Sequence, residues 1–128
     1  ERLVEQSFQE MGVSLTLREG LLNKFRFIAA EQSFFACAFG SEDANSLMRY
    51  DYEYIYRFYS DIITRKSGQP LDEDTAFLLG MYCRGSIQMT ARWAVSGMKR
   101  SPEQMVELLI ESMPARLEVL LRDLHPEA

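Results

Sequence analysis

The stretch FLLGMYCRGSIQMTARWAVSGMKRSPEQMVELLIESMPARLEVLL, running from Phe77 to Leu121, decides how this chain folds. A long apolar segment carrying Gly80, Gly85 and Trp93 stops at Gly97, and a second helix begins almost at once. Its start is written out as Ser101, Pro102, Glu103 and Gln104: a hydroxyl at the N-cap, a proline at the first helical position and a capping-box amide three residues on. So short a connection lays the two helices antiparallel. Pro114 then removes a backbone donor, and Leu117, Leu120, Leu121 and Leu124 carry the apolar pattern beyond it.

Working outward, Gly12, Gly40, Gly68 and Gly97 each close an apolar periodic stretch and divide the chain into five segments. Thr16 with Glu19, Ser41 with Glu42 and Asp43, and Asp72 with Glu73 and Asp74 supply start signals after three of these stops. One helix is expected from Leu17 to Phe39. Leu21, Phe25, Ile28, Phe35 and Phe39 follow one side of it, Phe27, Phe34 and Ala38 a second, and Gln32 falls inside the first row. The next, about Asp43 to Lys66, is crowded with Tyr50, Tyr52, Tyr54, Tyr56, Phe58 and Tyr59, too many rings for one face to absorb. The helix from Glu73 to Ser96 pairs a large apolar line, Leu78, Tyr82, Gly85, Met89 and Trp93, with a line of small residues, Cys83, Ser86, Thr90, Ala94 and Gly97, that lets another helix approach closely.

Composition points the same way. The 128 residues are 47% apolar and 12% aromatic with only four prolines, which suits a chain that owns a core rather than a disordered one. The expected fold is all-α, a single helical bundle of about five to six helices. A formal net charge of -5 sets the whole piece against the phosphate backbone of a nucleic acid, so this piece alone is not expected to bind DNA. No apolar run reaches the length of a membrane span. His125 is the single histidine and stands near the chain end, Cys37 and Cys83 lie in apolar helical patterns, and no metal spacing or phosphate loop occurs. No catalytic residue, metal or cofactor is expected, and the chain does not read as an enzyme. Two cysteines outside any disulfide framework fit a reducing cytoplasm.

Two long motifs carry a resemblance. GMYCRGSIQMTARWAVSGMKRSPEQMVELL, Gly80 to Leu109, is similar to the end of the C-terminal sensor domain of TetR-family transcriptional regulators, and FRFIAAEQSFFACAFGSEDANSLMRYDYEYIYRFYSDII, Phe25 to Ile63, resembles the central part of such domains. The likeness spans roughly Leu21 to Leu121. It implies a homodimer in which a small N-terminal helix-turn-helix domain grips operator DNA while the helical C-terminal domain senses an effector. That basic N-terminal domain is missing from this chain, which begins at Glu1, and residues 1–12 read as the helix that would connect to it.

The resemblance and the patterns together give expectations for two sites. Gln32, Phe34, Phe35, Tyr54, Phe58, Met81, Tyr82 and Met89 combine apolar surface with central positions and are the expected lining of a pocket for a small apolar or aromatic effector. Met89, Thr90, Trp93, Ala94, Met105, Leu109 and Met113 are the expected dimer face, a four-helix contact built from two helices of each subunit. The alternative is a structural dimerisation or protein-docking module with no small ligand, which an exposed aromatic patch without an enclosed cavity would favour.

Overall fold

The computed structural model describes residues 2 to 124, so His125 lies outside the described residues. Among them seven helices form: α1 (Arg2–Gly12), α2 (Leu17–Ala30), α3 (Gln32–Gly40), α4 (Ala44–Ser67), α5 (Glu73–Val95), α6 (Pro102–Glu111) and α7 (Ala115–Leu121). The class is all-α, with a helix count slightly above the expectation. None of these helices is long and apolar enough to cross a membrane.

The start signals act largely as their chemistry requires. The Thr16 hydroxyl accepts from the Glu19 N–H at 3.2 Å, and the Asp72 carboxylate accepts from the Thr75 N–H at 2.7 Å, which holds Asp72 below the usual carboxylate range. At α6 the capping box is complete: the Gln104 N–H donates to the Ser101 hydroxyl and the Ser101 N–H to the Gln104 side chain. Ser41 differs from expectation. Asp43 is the N-cap of α4, while the Ser41 hydroxyl donates to the Ala38 carbonyl and accepts from the Asp43 N–H, stapling the turn between α3 and α4. Gly68 ends α4 at φ 70°, in the left-handed region where a side chain costs energy.

The single helix expected over Leu17 to Phe39 is two. Glu31 leaves the helical region at φ -107° and ψ 40°, and its N–H donates to both the Phe27 and Ile28 carbonyls. The reason is tertiary: α2 packs against α1 and α6, whereas α3 packs against α5 and α4. A straight rod could not serve both sets of neighbours. The break divides the expected apolar row between two helices, yet Leu21, Phe25, Ile28, Phe35 and Phe39 are all buried in the same core.

Gly20 lets α2 sit against the end of α1, since a Cβ there would meet the Met11 carbonyl at 3.0 Å and a Leu124 methyl at 3.1 Å. The chain end closes on the same place: the Leu17 N–H donates to the Arg122 carbonyl and the Leu124 N–H to the Leu15 carbonyl. The core runs from Val4, Phe8 and Met11 of α1 through Phe25, Phe35 and Tyr59 to Leu79, Trp93 and Leu117. Each such side chain contributes about 1.5–3 kcal/mol through burial. Surface pairs joining α2 to α6, Arg18 with Glu107 and Arg26 with Glu103, are exposed and contribute little beyond register.

Candidate functional site: an α5–α6 groove and a buried charge behind it

The turn between α5 and α6 is built from backbone that favours glycine, Gly97 at φ 101°, followed by Met98 at φ 53°. Two hydrogen bonds brace the pair of helices. The Trp93 indole N–H donates to the Arg100 carbonyl at 2.8 Å, and the Tyr82 hydroxyl donates to the Leu109 carbonyl at 2.8 Å. Between the helices lies an open groove in two adjoining parts. One, of about 830 Å³, is bordered by Arg92, Trp93, Lys99 and Leu108; the other, of about 400 Å³, is almost wholly apolar and bordered by Phe77, Met81, Tyr82 and Pro114. Met89, Leu109 and Ser112 belong to both.

The rim of this groove is unusually apolar for a free surface. Phe77 is 68% exposed, Met81 65%, Met89 50% and Leu108 41%. On α5 the first three stand at i, i+4 and i+12, one stripe of the helix, with Gly85 between them at i+8. Large apolar side chains grouped in this way mark a surface that meets something.

The residues expected at the dimer face are placed differently. Met89 alone is half exposed, whereas Thr90, Trp93, Ala94, Met105, Leu109 and Met113 are buried in the subunit's own core. Trp93 packs against Phe25 with ring centroids 5.3 Å apart. The small-residue line is likewise inward, with Cys83 and Ala94 fully buried. Of the large apolar line, Tyr82 and Trp93 are buried while Gly85 and Met89 stay exposed, and these two join Phe77 and Met81 in the stripe that remains outside.

The expected pocket residues fall in three separate places. Gln32 is exposed at the start of α3, and Phe34 lies at the surface with its ring edge-on to buried Phe35. Tyr54 stacks on Phe8 of α1 with centroids 4.3 Å apart, and Phe58 is half-buried beside Tyr59. Met81, Tyr82 and Met89 are brought together in the groove. The break at Glu31 is what takes Gln32 out of the apolar row.

Sequence reading missed the most unusual residues in the molecule, Lys24 of α2 and Asp51 of α4. Each is only 6% exposed. The Lys24 ammonium sits 4.0 Å from the centroid of the Phe8 ring, and among the described residues it forms no ion pair. One Asp51 oxygen, Oδ1, is buried with no hydrogen-bond partner. Burial lowers Lys24 from the ordinary lysine range, opposed by the nearby Asp51 carboxylate, and burial pushes Asp51 up to about 6 against the pull of Lys24. Their signal was present: Lys24 interrupts the row Leu17, Leu21, Ile28, and Asp51 the row Leu47, Ile55, Ile62. Beside them, burial pushes the Cys83 thiol up to about 12, so it is a neutral thiol rather than a nucleophile near neutrality.

A small cavity lies beside the groove, bordered by Lys24, Tyr59, Tyr82, Ser86 and Thr90 among apolar neighbours. At about 10 Å³ of water-accessible space it has room for roughly one water. Tyr82, Ser86 and Leu109 border both this cavity and the apolar part of the groove.

A family model described as a transcriptional regulator C-terminal region matches residues 16–114. With the all-helical fold, this places the chain in the TetR family of transcriptional regulators, as its C-terminal domain. Searches of curated proteins and of solved structures gave no match.

Proposed function

We propose that this chain is the effector-sensing and dimerising part of a cytoplasmic TetR-family regulator, acting on operator DNA through a helix-turn-helix domain joined ahead of α1. The observation that carries the proposal is the exposed stripe Phe77, Met81 and Met89 with Leu108, on the two helices α5 and α6. Two copies laid face to face would remove these side chains from water and form a four-helix contact. A ligand that binds one arrangement of the pair more tightly than another would then bias the spacing of the two DNA-reading domains.

Sedimentation velocity tests the dimer. The wild-type chain is expected as a dimer at micromolar concentration, and Met81→Glu as a monomer with unchanged helix content, while Val119→Glu, on the exposed face of α7, leaves the dimer intact. A wild-type monomer would overturn the dimer, as would an unchanged mass for Met81→Glu.

One observation favours the second reading, a dimerisation module without a small ligand. The small cavity beside Lys24 holds only about one water, and the larger spaces are open grooves that a partner helix could fill. Native mass spectrometry of the chain purified from cells separates the two, since retained small-molecule mass supports the sensor.

A further inference from the structure

We infer that the second copy seats antiparallel on this one, with the two-fold axis over Gly85 and the acidic end of each α5–α6 face against the basic end of the other. The inference rests on the dimer reading above and adds its direction, its register and the contacts that fix both. Charge placement carries it. Glu103 and Glu107, on the side of α6 that meets α2, are matched within the chain by Arg26 and Arg18. The exposed charges at the two ends of the groove face are not. Glu73 and Asp74 stand one turn before Phe77 on α5, with Glu111 at the end of α6, while Arg92, Lys99 and Arg100 border the opposite end. Among the described residues none of these six forms an ion pair. Arg84, the other cation of α5, is turned onto the Tyr52 ring, 4.1 Å from its centroid, and Arg116 of α7 acts on Asp72.

A parallel pair would set acid against acid at one end and cation against cation at the other, a cost that selects against it. An antiparallel pair brings opposite charges together at both ends, since every contact of a two-fold dimer is made twice. Gly85 sets the register. It lies midway between Met81 and Met89 on the exposed stripe, and a Cβ there would meet nothing within 4 Å. Helix separation depends on the side chains at the contact, so a second helix comes closest over this bare backbone. Counting equally outward from Gly85, Met89 of each copy meets Met81 of the other and covers the apolar part of its groove. Glu73 and Asp74 then face the turn at 96–97, beside Lys99 and Arg100. A shallow crossing of about 20°, usual in four-helix bundles, keeps those ends within reach of long side chains.

Sedimentation equilibrium reads the association. Glu73→Lys with Asp74→Lys leaves like charges at both contacts, as does Lys99→Glu with Arg100→Glu, and each pair of changes is expected to raise the dimer dissociation constant at least about tenfold. All four changes in one chain put opposite charges back together and are expected to recover most of that loss. The recovery distinguishes pairing between copies from harm to the start of α5, whose dipole the two lysines oppose, because changes at Lys99 and Arg100 do not mend that helix. Circular dichroism checks helix content. Register is read by disulfide cross-linking with oxidised glutathione in a Cys37→Ser background, which removes the exposed native thiol. Met81→Cys mixed with Met89→Cys is expected to link the two copies faster than either variant links to itself. Unchanged dissociation constants in the charge variants, no recovery in the fourfold variant, or self-linking as fast as the mixed pair would overturn the inference and leave the dimer standing. A monomeric wild-type chain would overturn both.

Discussion

Lys24 and Phe8 meet face-on across α1 and α2, with the ammonium 4.0 Å from the ring centroid. The opposite face of the problem is Asp51, drawn toward the same charge yet left with an unpartnered oxygen. Both groups are removed from water by the same packing that stacks Phe8 on Tyr54. The arrangement sets a buried charge against α1.

Asp51 gives a pH dependence with a defined sign. Its folded value of about 6 lies above the ordinary 3.8, so the folded state favours the protonated acid. The stability this provides is complete below the unfolded value and is lost as pH rises through the folded one. Relative to Asp51→Asn, the wild type should lose about 3 kcal/mol between pH 3.5 and pH 7.5. Urea unfolding of both proteins at the two pH values checks this, and a constant difference would contradict it.

Trp93 should matter to the subunit and not to the dimer. Trp93→Phe deletes the N–H that bonds the Arg100 carbonyl across the α5–α6 turn, at an expected cost of about 1–3 kcal/mol. The sedimenting mass should not change. A variant of full stability but half the mass would return Trp93 to the interface.

Two glycine substitutions should act in opposite directions. Gly68→Ala places a side chain at φ 70° and should destabilise by about 1–2 kcal/mol. Gly85 is helical, and a Cβ there meets nothing within 4 Å, so Gly85→Ala should raise subunit stability by about 0.5–1 kcal/mol. On the proposed face, the added methyl should also weaken the dimer. Thermal melts and sedimentation equilibrium separate the two effects.

Ser101→Ala removes half of the capping box that starts α6. It should cost about 1 kcal/mol and fray the first turn around Glu103. Amide hydrogen exchange at Gln104 and Met105 reports this directly.

Most element boundaries were legible because they are set by local chemistry. Ser101 with Gln104, Asp72 with Thr75, Gly68 in the left-handed region and Pro114 between α6 and α7 each act within a few residues, so their neighbours in sequence are their partners in space. The family likeness was legible for a related reason, since it lies in the order of these local patterns. Ser41 shows where local reading blurs: its hydroxyl bonds nearby, but to the turn and not to the helix expected.

The sequence by itself determined an all-helical chain, the caps and stops of its helices and its membership of a regulator family, because hydrogen bonds across three or four residues and apolar periodicity need no tertiary partner. Only the tertiary structure decided which apolar face is inside. Along α5 three lines of apolar or small residues compete for burial, and nothing within one helix says which lines the rest of the chain will cover. Packing on α3, α4 and α7 takes Cys83, Ala94 and Trp93 inward and leaves Phe77, Met81 and Met89 outside. The same packing breaks α2 from α3 at Glu31 and closes over Lys24 and Asp51, whose burial depends on neighbours on other helices, such as Phe8 of α1 against Lys24.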